Sequence, residues 1–118
     1  MWLSLNNLGC LFILVYGFET MPGKGWCADV NGQEGTARKF LSNTSLGTVS
    51  TSCKVDVSCA GFAFALDTLW AVVYSSTGCT SGCENTAWSE NSHLITKGSN
   101  TADIKWRNAV CYRKKPGK

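Results

Sequence analysis

The residues of this 118-residue chain best suited to chemistry are one histidine and seven cysteines. His93 sits in the polar run WSENSHL. A hydrolase needs such a histidine within reach of a nucleophile and a carboxylate. Serines abound, but no G-x-S-x-G elbow presents one, and a lone loop histidine is most often simply exposed. Zinc is a second option: Cys79-x3-Cys83, His93 and either Cys53 or Cys59 would make four ligands. Structural zinc sites use two tight pairs, however, and thiolates need a reducing compartment. Gly23-Lys24-Gly25 has neither phosphate-loop nor dinucleotide spacing. The acids Asp29, Glu34, Asp56, Asp67, Glu84, Glu90 and Asp103 stand singly, unlike an EF-hand loop or a paired-carboxylate site. The expectation is a non-catalytic protein with no metal and no cofactor.

A third chemistry for cysteine is the disulfide, and the N-terminus favours it. Leu8 to Phe18 (LGCLFILVYGF) is an uncharged apolar run. It has the length of a signal-peptide core and falls short of the roughly 18 residues that span a bilayer. The leader is read as residues 1–17, with cleavage between Gly17 and Gly25. MWLSLNN brings no lysine or arginine, and the competing reading of the run is a buried strand or an uncleaved tail. Cys10 falls inside the leader. That leaves Cys27, Cys53, Cys59, Cys79, Cys83 and Cys111, an even set suited to an oxidising, extracellular compartment. Such staples help a chain of this size, whose core is modest. Asn43-Thr44-Ser45 is a glycosylation sequon in a Ser/Thr-rich stretch, as an exposed loop would be.

The net charge is +3 and is unevenly spread. Lys105, Arg107, Arg113, Lys114, Lys115 and Lys118 crowd the C-terminal end, with no acid after Asp103. This reads first as a solvated end with a basic tail at 115–118, and second as a surface for sulfated glycans or other anionic partners. Nucleic acid is not an expected partner outside the cell.

The elements come next. GWCADVNGQEG reads as a short strand followed by a turn at Asn31-Gly32. Ala37 to Leu41 reads as another strand. Ser42 to Ser52 has poor helix propensity, so a helix there needs packing and a disulfide to hold it. In CAGFAFA, Phe62 and Phe64 share a face. With a turn at Leu66-Asp67-Thr68 and the β-rich LWAVVYS (Leu69 to Ser75), this predicts a hairpin with one packed face. Ser75 to Glu84 reads as a loop, Leu94-Ile95 as a strand start, and Ile104 to Tyr112 as the last strand. Trp70 and Trp106 read as core or sheet-face residues. Trp88, among polar residues, either meets a ligand or folds back over the sheet edge.

Three stretches resemble PAN/apple-like domains: GWCADVNG (Gly25 to Gly32), SCAGFAF (Ser58 to Phe64) and WRNAVCYRK (Trp106 to Lys114). The resemblance covers roughly Gly25 to Lys114, giving one domain at 25–114. It implies an α+β fold, a curved antiparallel sheet with one short helix packed across it and disulfide staples. It also implies that Cys27 pairs with Cys111, joining the termini, and that Cys53 on the helix pairs with Cys59 on the sheet. The family's second helix–sheet bridge would fall at Val49 and near Ala71. Neither is a cysteine, so both halves of that bridge are absent together. Cys79 and Cys83 would then close a local loop.

Domains of this kind bind proteins or carbohydrates without catalysis. The resulting expectation is a secreted binding module, with Trp88, Tyr74, His93 and Arg107 as contact residues. The alternative is a cationic structural or defensive secreted protein acting on anionic surfaces.

Overall fold

The computed structural model describes residues 17–77, 88 and 91–115. Its strands are β1 (Phe18–Lys24), β2 (Cys27–Ala28), β3 (Arg38–Leu41), β4 (Cys59–Ala65), β5 (Trp70–Ser75), β6 (Lys97–Gly98) and β7 (Val110–Lys114). The α-helix α1 (Leu46–Val55) precedes β4, and a 3-10 turn spans Ser92–Leu94. Five strands form an antiparallel sheet in the order β1-β7-β4-β5-β3, and β2 pairs with β6 in a small ribbon. The fold is therefore α+β. Among the described residues, no helix is long and apolar enough to cross a membrane.

β4 lies at the centre, between β7 and β5, and all seven of its residues are buried. The hairpin thus packs on both faces, where its alternation predicted one. Phe62 and Phe64 face the helix side with Val49, Cys53, Ala71 and Val73. Ala63 and Ala65 face the other side, where loops bring in Trp88, Ile95 and Trp106. The small residues on that second face leave room for large side chains arriving from elsewhere in the chain. A register irregularity between Cys59 and Gly61 sets the phase of the two faces.

The helix forms despite its β-branched, Ser/Thr-rich sequence because its surroundings hold it. Ser45 caps it by accepting from the Thr48 N–H at 3.1 Å, satisfying one orphan donor. Val49 and Cys53, one turn apart, are its buried contacts with the sheet. The Cys53–Cys59 disulfide ties its last turn to β4. Lys114 Nζ, from β7, donates to the carbonyls of Cys53 and Asp56, each at 2.9 Å. Val49 and Ala71 are both fully buried in the same core cluster.

Asp56 closes the helix and anchors the next turn. Its carboxylate accepts from the Ser58 N–H at 2.9 Å, the Ser58 hydroxyl at 2.8 Å and the Ser75 hydroxyl at 2.6 Å. Burial by itself would raise its pKa, but the hydrogen bonds from Ser75, Ser58 and Thr77 together outweigh that and hold it below the ordinary value. A depressed carboxylate contributes stability above its unfolded pKa of about 3.9 and loses it as the pH falls through the folded value. Asp56→Asn is expected to cost about 1–2 kcal/mol at neutral pH, for the charge-assisted bonds weakened. It should also flatten the acid limb of the stability curve, read from urea midpoints across pH. An acid limb as steep as that of the parent would show that Asp56 does not carry it.

Two strand expectations are corrected. Leu94 ends the 3-10 turn rather than opening a strand, Ile95 is a buried plug, and the paired strand is only Lys97–Gly98. Likewise, the last strand starts at Val110, not Ile104. Ahead of it, the Asp103 carboxylate accepts from the Lys105 N–H at 2.9 Å, and its carbonyl accepts from the N–H groups of Trp106 and Arg107. These local bonds fold residues 104–108 into turns and leave Ile104 68% exposed. The apparent alternation through this stretch was a coincidence of side chains.

β1 lies ahead of Gly25, where the resemblance begins, yet it is an integral edge strand. Phe18 and Met21 are buried, and Glu19 pairs with Arg113 at 3.0 Å. Pro22 is tolerated because β1 is an edge. The disulfides are Cys27–Cys111 and Cys53–Cys59. Cys79 and Cys83 lie outside the described residues.

Candidate functional site

The sheet face opposite α1 carries the most distinctive surface. On β5, alternation sends Trp70, Val72 and Tyr74 to this side. Trp106 arrives from the turn that Asp103 organises. Trp26 follows Gly25, whose φ of +101° and crowding against Ser99 Oγ, 2.6 Å from a would-be Cβ, exclude a side chain. Trp106 is 5% exposed and acts as the hub. Trp70 meets it edge-on at 6.0 Å between centroids, Trp26 edge-on at 6.5 Å, and Phe40 of β3 at a tilt at 6.1 Å.

The rings grade outward from this hub. Trp26 and Trp70 are half-buried, while Phe40 is 53% exposed. Two cations lie over the outer rings. Lys105 Nζ is 4.8 Å from the Trp70 centroid, and Arg38 Cζ is 5.3 Å from that of Phe40. The result is a fixed, partly exposed aromatic surface bordered by hydrogen-bond donors. Such a surface can stack on the C–H face of a sugar ring while the exposed Lys105 meets hydroxyls or acidic substituents.

A buried polar chain underlies this face. The Tyr74 hydroxyl donates to Glu34 Oε2 at 2.7 Å and accepts from the Cys27 N–H at 3.2 Å. Arg38 stands 4.0 Å from the same carboxylate and donates to the Gly35 carbonyl at 3.0 Å. Burial, with Glu34 beside it, pushes the Tyr74 phenol well above its ordinary value, so it stays neutral. Burial also raises Glu34, against the opposing effects of Tyr74 and Arg38. This chain pins the 29–38 segment to β5 and to the disulfide.

The expected contact residues divide. Tyr74 and Trp88 come together, with ring centroids 5.0 Å apart, but at 0% and 1% exposure neither can meet a ligand. Trp88 is seated there because Gly35 has no side chain; a Cβ at 35 would strike the indole. His93 is exposed on the 3-10 turn, and Arg107 is exposed on the 104–108 turn. Asn43 of the sequon is exposed just before the helix cap, with a φ of 51°. Among the described residues, no three His, Cys, Asp or Glu side chains gather as a metal site. Cys53 and Cys59 are bonded to each other and so are not thiolate ligands.

The basic end is also less free than its sequence suggests. Arg113 is held by Glu19 and by the Ile95 carbonyl, and Lys114 by the end of α1. The residues missed by sequence reasoning are Phe40, Trp26, Lys105 and Arg38, together with the outward role of Trp70. The only signal in the chain was its tryptophan count, because the cluster joins four separate segments. Comparison with protein families, curated proteins and solved structures finds no match to this chain, so its function must be read from these residues.

Proposed function

We propose that this protein is a secreted, non-catalytic binding module that recognises a carbohydrate through the Trp26–Trp70–Trp106–Phe40 face, in the manner of a PAN/apple-like domain. The observation that carries the reading is the aromatic cluster itself, rigid at Trp106 and open at Phe40. Large exposed rings cost free energy in water, and a fixed cluster of them beside two cations is a surface built for contact. The two disulfides support an extracellular setting. They are also the pairs implied by the PAN/apple resemblance. Internal bonding of Arg113 and Lys114 weighs against the cationic alternative, which needs those charges free.

Trp70→Ala and Phe40→Ala test the site. Each is expected to weaken glycan binding by about tenfold or more, equal to about 1.4 kcal/mol. Affinity for the best hit of a glycan array, measured by calorimetry, reads this, with circular dichroism as the fold control. Arg107→Gln with Lys115→Gln should change binding little except at low salt. If the aromatic variants bind as the parent does while the charge variant fails, the cationic reading replaces this one. If the parent retains proteins but no glycan, the ligand class is wrong.

A further inference from the structure

A second feature lies on the other side of the sheet and is independent of the aromatic face. A cavity of about 320 Å3 opens between the first turn of α1, the β4–β5 turn and the start of β7. Leu46, Phe64, Leu66, Leu69, Val110 and Tyr112 form its apolar walls. It exists because α1 presents only Val49 and Cys53 as fully buried contacts. The space beneath its first turn, beside Leu46, is left unfilled.

The mouth is unusual for a surface turn. Leu66 is 75% and Leu69 39% exposed, in a four-residue connection where polar residues would serve. Leu69 also adopts a left-handed φ of 59°, a conformation that favours glycine or asparagine and that a bulky side chain adopts at a cost. Apolar side chains are thus kept at the rim against both exposure and backbone preference.

The lining is also free of charge. Its polar side chains are Ser45, Asn108 and, at the tip of its ring, Tyr112. The Ser45 hydroxyl is committed to the helix cap, accepting from the Thr48 N–H and donating to Thr48 Oγ1. The Asn108 amide donates to Asp67 Oδ2 at 3.0 Å, which leaves its oxygen as an acceptor. No cation lines the site, and a carboxylate stands behind Asn108. A buried anion would find no opposite charge there, which disfavours it against a neutral head group.

We propose that this cavity binds a neutral amphiphile, an aliphatic chain with a hydroxyl head that donates to the Asn108 amide oxygen. At about 30 Å3 per water-sized group, the volume takes roughly ten heavy atoms, which is the size of a medium-chain alcohol. Pockets of a few hundred Å3 with apolar walls and one or two polar groups are of the kind that hold small ligands.

Octanol is the probe. Titration into the intact, 13C-methyl-labelled protein should give saturable shifts at the methyls of Leu46, Leu66, Leu69 and Val110. The Trp26 and Trp70 indole signals should stay in place. Octanoate at neutral pH should bind about tenfold more weakly or worse. Leu66→Ser with Leu69→Gly should weaken octanol by about tenfold and remain folded, since both positions are at the surface and glycine suits residue 69. Leu46→Trp, which fills the cavity from its rim, should abolish binding. Absence of saturable shifts, shifts confined to the indoles, or unchanged affinity in the double variant would each overturn the site. Octanoate binding as tightly as octanol would overturn the neutral ligand class. None of these outcomes bears on glycan binding by the opposite face.

Discussion

Replacing Cys27 and Cys111 together by alanine is expected to remove most of the folding stability. The bridge closes a separation of 84 residues. On chain entropy, opening such a loop releases about 4.5 kcal/mol of restriction on the unfolded chain. A domain of this size has roughly 5–15 kcal/mol in all. Both cysteines are also fully buried, so the double variant removes core packing between β2 and β7 in addition to the covalent link. The Cys53–Cys59 bridge spans 6 residues and should be worth about 2 kcal/mol on the same model. Urea unfolding of the two double variants beside the parent measures both. A larger loss from the short bridge than from the long one would refute the entropic ranking.

Gly61→Ala should be strongly damaging although it touches no cysteine. In an ordinary strand this change gains about 0.5–1 kcal/mol. Here the added Cβ would strike the Tyr112 carbonyl oxygen, stand 2.8 Å from Ile95 Cδ1 and come within 3.3 Å of Arg113 Cα. Two of these three are backbone atoms of β7, which cannot yield without parting from β4. The expected loss is about 3 kcal/mol or more, read from the urea midpoint at unchanged slope. Gly47→Ala is the matched contrast. It lies in α1 with nothing within 4 Å of a Cβ, and should gain about 0.5–1 kcal/mol. Equal responses at the two sites would mean that β4 and β7 do not approach as described.

The elements legible in the chain are those built from local chemistry. CAGFAFA and LWAVVYS pair as β4 and β5 across a turn at Leu66 to Leu69, and Arg38–Leu41 lies within the strand read from Ala37. Asn31-Gly32 sits in a turn where the Asp29 carboxylate accepts from the N–H groups of Asn31 and Gln33. The weak helix formed where a cap, a disulfide and Lys114 support it. Where legibility failed, a local competitor was missed. Alternation from Ile104 to Tyr112 looked like a strand, but Asp103 turns the first part of it.

The candidate site was largely hidden, for a different reason. Trp88 stands in a polar run that left ligand contact and folding back over the sheet equally open; Gly35, far away in the chain, makes its buried seat. Phe40 looks like one more strand residue until Trp106 comes up beside it. The cavity is bounded by α1, the β4–β5 turn and β7, and no one segment contains it.

Period, turn residues and cysteine number, all short-range properties, were therefore enough to place the central hairpin, a turn and a weak helix and to predict disulfide staples, while their α+β arrangement was what the resemblance to PAN/apple-like domains implied. Which faces are covered, which rings remain open and where space is left unfilled were decided only by the tertiary structure. Those outcomes depend on how closely distant segments approach, and that distance is set by single missing side chains such as those at Gly35 and Gly61.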